Sequence, residues 1–188
     1  MTTTGTPAVL RSELGVRGSW YADRACAQRA IEMALPAIEA AVARPEVSGG
    51  GFLSIVVVDP ALAPGDCTFE EAILAEHRIG DRARWDADYG MFARAKARQA
   101  WLHGVDTHRL QALQPHRLRV GDVAVWGAVC LDGIVVGVSG AHPWYDEAFA
   151  TMIAAALRAL VKEAAARQHE PFVGPRPGPA DATGDAAR

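Results

Sequence analysis

The stretch from residue 122 to residue 139 constrains the fold more than any other part of the chain. Two segments rich in β-branched residues flank the pair Asp132-Gly133. Asp and Gly tolerate the positive φ angles of a tight turn, so this pattern predicts an antiparallel β-hairpin whose first strand lies within residues 122–130. The second segment contains Gly137 and Gly140, where a missing side chain admits another backbone or a ligand.

A helix is predicted to follow the hairpin. Pro143 ends the strand, and the acidic pair Asp146-Glu147 suits the positive end of a helix dipole. Apolar residues then recur at helical spacing, which indicates a helix from about Tyr145 to Arg167.

The elements before the hairpin alternate in type. The sequence predicts a helix from about Trp20 capped by Ser19 and a strand over 52–59 buried on both faces. Residues 69–79 fit either a helix around 72–75 or a second strand, and we expect the strand, because a hairpin with residues 55–59 is the simplest connection. A helix over Tyr89–His103 ends at Gly104, and residues 107–114 form a short helical segment. This order predicts an α+β domain on a largely antiparallel sheet.

Length and composition favour one globular domain. With 188 residues, half of them hydrophobic, the chain can bury a core, and we predict a single domain over 19–168. Residues 1–18 are expected to form a flexible arm and 169–188 a disordered tail, because both are polar or rich in Gly, Pro and Ala. Three widely spaced cysteines and the lack of a secretory signal predict a cytoplasmic protein.

The charge pattern indicates which classes of partner to expect. A net charge of −3 gives no reason to expect nucleic acid or a membrane as a partner. Residues 77–119, however, contain nine basic and four acidic residues and four of the six histidines. This basic window is either a solvated face or a site for an anionic ligand.

Three segments are informative through their order and spacing. Residues 92–107 contain A-R-A-K-A-R-Q-A and a following Gly and Thr, residues 133–141 contain G-V-S-G, and the acidic pair Asp146-Glu147 follows. Together they resemble the GlcG/HbpS-like family, which includes the C-terminal domain of PduO-type proteins and has a helix A-x-x-K-A-x-T-A, a strand G-x-x-G-V-S-G and an acidic pair after it. Gln99 and Asp106 depart from the family's Thr and Pro.

The resemblance implies a profilin-like three-layer α/β/α domain with a five-stranded antiparallel sheet that assembles into homo-oligomers, dimers or larger. It also implies a small-ligand-binding protein, with haem or a related anionic ligand as the first candidate, in a pocket between the Lys96 helix and the corner at residues 139–146. The candidate ligand-binding residues are Lys96, Arg98, His103, Thr107, His108, Ser139 and Gly140.

Haem needs an axial donor and cations for its propionates. His103 and His108 are the candidate iron ligands, and the basic window supplies the cations. His103 has a structural interpretation as well, because a cation at the C-terminal end of a helix is favoured by the dipole.

An enzyme is the alternative hypothesis. Lys96, His142 and Asp146 are acid and base types that suit a cofactor-free isomerase, cyclase or lyase acting on a small carbonyl or carboxylate metabolite. Two structural interpretations compete with it: the lysine stem lies along the helix face with its amine in water, and Asp146 caps a helix.

Overall fold

We describe the fold from a computed structural model, which describes residues 18–171 and 173–174. The first helix, α1, spans Arg24–Val42, with Pro36 inside it. Its N-cap is Asp23, whose side chain accepts a hydrogen bond from the backbone N–H of Cys26 at 2.8 Å. The prediction that the helix begins near Trp20 is therefore wrong: Ser19 Oγ instead accepts from the N–H of Ala22 in the preceding turn.

One antiparallel sheet lies at the centre of the fold. Its strands are β1 (Leu53–Val58), β2 (Ile73–Ile79), β3 (Ala128–Leu131) and β4 (Ile134–Ser139), in the spatial order β2-β1-β4-β3. The predicted pairing of β2 with β1 is confirmed. The α+β class is also confirmed, but the expectation of a five-stranded sheet is wrong, because β2 and β3 are edges with no further strand beside them in the described part of the chain.

The predicted hairpin is formed by β3 and β4. Asp132 and Gly133 at its tip have φ angles of 51° and 86°, as the tight turn requires. The first strand begins at Ala128, later than the pattern suggested. The preceding loop is held by side chains instead: the amides of Gln99 and Gln111 both donate to the carbonyl of Val123.

Four further helices complete the described elements. The predicted bounds of the long helix before the hairpin are confirmed: it begins after the cap Asp88 and ends at Gly104, which adopts a left-handed conformation with φ 65°. The helices are α2 (Phe69–Ala72), α3 (Tyr89–His103), α4 (Thr107–Leu113) and α5 (Pro143–Ala166), and 3₁₀ turns occur at Arg82–Arg84 and Pro115–Arg117.

The sheet divides the core into two layers. All six residues of β1 are buried, which is typical of a central strand covered on both faces. Its alternate residues point to opposite sides, so that Ile55 packs with α1 and α5 while Val56 packs with the alanines of α3. Gly137 lets α3 approach closely, since a Cβ there would lie 2.6 Å from the carbonyl oxygen of Ala93.

The predicted arm and tail fall largely on residues 1–17, 172 and 175–188, which lie outside the described residues. Among the residues that are described, no helix combines the length and the hydropathy needed to cross a bilayer.

Candidate functional site

Lys96 lies at the centre of a buried polar network. Its side chain enters from the middle of α3 and is only 2% exposed. Its ammonium group donates to three protein acceptors: the carbonyl of Val138 at 3.1 Å, Ser139 Oγ at 3.3 Å and Asp146 Oδ2 at 2.7 Å. An ammonium group has three N–H donors, so all of them are used within the protein.

Asp146 completes the network from the first turn of α5, where it is 1% exposed. Its second oxygen, Oδ1, accepts from the backbone N–H of Ala141 at 3.0 Å. Burial raises the pKa of Asp146 to about 6, although the Lys96 ammonium opposes this shift. Burial also lowers the pKa of Lys96, against the attraction of Asp146. The contacts on both partners favour an ion pair at neutral pH.

Two glycines allow this network to close tightly. A Cβ at Gly127 would lie 2.8 Å from the carbonyl oxygen of Val138 and 3.0 Å from Lys96 Nζ. At Gly140 it would lie 2.3 Å from the carbonyl oxygen of Phe52. The close approach predicted for this glycine is thus made by the protein's own backbone. Lys96 contacts the corner at residues 139–146 directly, through its hydrogen bonds to Ser139 and Asp146.

Thr107 binds the backbone at the point where the loop before the hairpin meets β3. It is fully buried, and its Oγ1 accepts from the backbone N–H groups of Gly127 and Ala128 at 3.1 and 3.0 Å. It also lies 3.1 Å from the carbonyl oxygen of Ala128, to which it donates. Its hydroxyl is committed to backbone groups, so the structure gives this candidate ligand residue a role in supporting β3.

His103 lies at the C-terminal end of α3, in a different environment. Its Nε2 is buried and has no hydrogen-bond partner among the described residues. Arg117 donates to the His103 carbonyl oxygen at 3.4 Å, which places the 3₁₀ turn against this end of the helix. Burial lowers the pKa of His103, and the positive charges of Arg117 and Arg119 lower it further.

Gln99, one turn before His103 on α3, is one of the two departures from the family pattern. It is 1% exposed, and its Oε1 has no hydrogen-bond partner in the described part of the chain. The same helix therefore carries two unpartnered buried polar atoms at its C-terminal end. The spacing of four residues between Gln99 and His103 was the signal that could have identified this pair.

The other two candidate histidines lie at the surface. The side chain of His108 is 52% exposed; its ring stacks on Trp126 at 5.1 Å, and its Nδ1 lies 3.7 Å from Glu147 Oε2. His142 precedes α5 as its N-cap residue without a side-chain capping bond, and its ring stacks on Trp144 at 5.0 Å. Neither ring has a described hydrogen bond to Lys96 or Asp146.

Arg98 is exposed and lines a depression on the other side of α3, together with three further arginines of the basic window. Within residues 18–171 and 173–174, no group of three or more His, Cys, Asp or Glu side chains could hold a metal ion.

Comparisons with known proteins return no match: no family model and no curated protein is similar to this chain.

Proposed function

We propose that this protein binds a small anionic ligand, with haem as the first candidate, at the C-terminal end of α3. The observation that carries this proposal is the buried, unpartnered Nε2 of His103. A buried polar atom without a partner costs free energy, so such an atom calls for an explanation. An imidazole nitrogen is a common axial donor to haem iron, and iron coordination would supply the missing partner.

The charge around His103 supports the same ligand. Its pKa is lowered from 6.5, so the imidazole is neutral at pH 7 and keeps the lone pair that coordination requires. Arg117 and Arg119 lie close enough to influence this pKa and are the cations that would receive propionates. Val120 and Val125 in the next segment are exposed and offer apolar surface.

Ligand entry requires movement of the segment over residues 118–126, because Gly127 is buried and its N–H donates to Thr107 Oγ1. Solvent does not reach Nε2 in the closed arrangement. The segment is a loop held to α3 and α4 at Val123, whose carbonyl accepts from Gln99 at 3.1 Å and Gln111 at 3.2 Å. Segments with few anchoring bonds open at low free-energy cost, which makes this loop the element that admits the ligand.

A hemin titration of the full chain tests the proposal. We expect a saturable Soret shift at micromolar hemin that is lost in His103→Ala and recovers when free imidazole is added to that variant. His108→Ala is the matched control, because this histidine is engaged with Trp126 and Glu147 at the surface. No saturable shift, or the same loss in both variants, would contradict the proposal.

The alternative enzyme hypothesis receives less support from the geometry. Lys96 has each of its three N–H donors on a protein acceptor. The ring of His142 lies at the surface against Trp144. A substrate would have to displace Asp146 or Ser139 from Lys96 before the amine could act as an acid or a base, whereas His103 has a nitrogen that no described residue engages.

Membership of the GlcG/HbpS-like family, a cytoplasmic location and a homo-oligomeric state belong to the same proposal. Cys26 and Cys130 are free thiols, which is in keeping with a reducing compartment. Light scattering of the purified chain, measured with and without hemin, tests the oligomeric state.

A further inference from the structure

A second feature, separate from His103, is a depression in which four arginines meet. It has a volume of about 450 Å³ and lies between β2, α2, the first 3₁₀ turn and α3 as far as Arg98. This volume falls within the range of small-molecule sites. The four basic residues that line it are Arg78, Arg82, Arg94 and Arg98.

The fold brings these arginines together from three elements. Arg94 and Arg98 lie one turn apart on α3 and therefore share a face. Arg78 lies two residues after Glu76 on β2, so both side chains point to the same side of the sheet. Glu76 binds Arg94 through two parallel hydrogen bonds of 2.7 and 2.9 Å, which fixes that side of β2 against α3.

The acidic residues nearby do not neutralise the cluster. Glu76 is committed to Arg94. Asp88 also lines the depression, but its carboxylate caps α3 by accepting from the N–H of Met91 at 2.9 Å. Arg82 and Arg98 form no ion pair or side-chain hydrogen bond with any residue in the described ranges, even though Glu70 and Asp88 line the same depression. Two guanidinium groups are thus available to an external anion.

We propose that this depression binds a small molecule that carries two or more phosphate groups. A guanidinium group recognises phosphate through two parallel N–H donors, and several such groups on one concave surface match a ligand with several charges. Phe69, Met91 and Ala95 line the same depression and provide apolar surface for a carbon skeleton between the charged groups.

Methyl NMR of the full chain locates binding directly. With ¹³C-methyl methionine labelling, Met91 reports on the depression, while Met33 on α1 and Met152 on α5 are exposed elsewhere and serve as internal controls. Titration with pyrophosphate is expected to shift the Met91 signal saturably and to leave Met33 and Met152 unchanged. No shift, an unsaturated shift, or equal shifts at all three methyl groups would overturn the proposal.

Charge-matched variants separate a built site from a diffuse basic face. The double variant Arg82→Gln/Arg98→Gln should weaken pyrophosphate binding at least about tenfold in calorimetry, because it removes two charge-assisted contacts. Arg29→Gln/Arg109→Gln removes the same charge from exposed positions outside the depression and should change binding by less than about threefold. Equal weakening in both double variants would show that binding is only diffuse attraction.

Discussion

The Nζ atom of Lys96 lies 2.7 Å from Oδ2 of Asp146, and both side chains are almost completely buried. Lys96 belongs to α3, which covers one face of the sheet, and Asp146 to α5, which covers the other. The bond passes the end of β4, where Val138 and Ser139 supply the remaining acceptors. This ion pair therefore connects the two helical layers across the end of the sheet.

Removing the lysine alone should destabilise the fold strongly. Lys96→Met leaves the Asp146 carboxylate buried without its counter-ion, and breaking a buried pair in this way costs about 3–5 kcal/mol. Urea unfolding followed by tryptophan fluorescence at pH 7 measures this loss. A cost below about 1 kcal/mol would show that Asp146 is not held as a carboxylate by Lys96.

The double variant Lys96→Met/Asp146→Asn serves as the control. The Asn amide oxygen can still accept from the N–H of Ala141, and no unpaired charge remains. We expect it to recover most of the stability lost in Lys96→Met, because buried ion pairs are often replaceable by neutral groups of similar volume. If the double variant were as unstable as the single one, packing of the lysine stem would be the cause instead of charge.

The stability of the wild type should depend on pH through Asp146. Burial raises the pKa of this carboxyl from 3.8 in the unfolded chain to about 6, so the folded state binds the proton more tightly. Its contribution is fully present below the unfolded pKa and is lost as the pH rises through the folded pKa, a decrease of up to about 3 kcal/mol. Unfolding curves from about pH 4 to about pH 7, taken as the difference from Lys96→Met/Asp146→Asn, check this slope; a difference that rises with pH would contradict it.

Thr107 provides a test at the entry to the hairpin. Thr107→Val keeps the side-chain volume but leaves the N–H groups of Gly127 and Ala128 without their acceptor, at a cost of about 2–4 kcal/mol. Thr107→Ser keeps the hydroxyl and should cost only about 1 kcal/mol for the lost methyl group. Thermal unfolding of both variants measures their losses of stability. Similar losses in the two variants would mean that the hydroxyl contributes little to the stability of the fold.

The packing of α3 on the sheet can be tested with a pair of glycines. Gly137→Ala would place a methyl group 2.6 Å from the Ala93 carbonyl oxygen and 2.7 Å from Ala97 Cβ, so α3 must shift, at about 1–3 kcal/mol. Gly49→Ala meets no atom within 4 Å and should change the free energy of unfolding by no more than about 0.5 kcal/mol. Chemical denaturation of both variants measures the difference between their free energies of unfolding. No difference between the two would show that α3 can move outward without cost.

Local signals predicted the elements whose ends are set by neighbouring residues. The end of α3 followed from Gly104 and its start from a capping aspartate at 86 or 88, of which the helix uses Asp88, because capping and a left-handed stop depend on residues next to the helix. The turn at Asp132-Gly133 followed in the same way. The start of α1 was misplaced because Ser19 and Asp23 are both capping types, and only the folded backbone distinguishes them.

Contacts between distant residues could not be predicted in this way. The hydrophobic pattern extended the first hairpin strand back to residue 122, whereas Gln99 and Gln111 hold the Val123 carbonyl outside the sheet. The sequence marked Lys96 and Asp146 as residues of interest, but nothing local indicated that they pair with each other. The fifth strand came from the family resemblance, and no described segment forms it.

The position of β1 in the sheet has a consequence for synthesis on the ribosome. One edge of β1 pairs with β2, which follows it closely in the chain and leaves the ribosome soon after it. The other edge pairs with β4, where Ser54 lies opposite Ser139, and β4 is synthesised much later. Until β4 is in place, the backbone groups along one edge of β1 are unpaired, and another unfolded chain can pair with them. All six residues of β1 are buried in the folded protein. Closure of the sheet must therefore come after translation has passed Ser139.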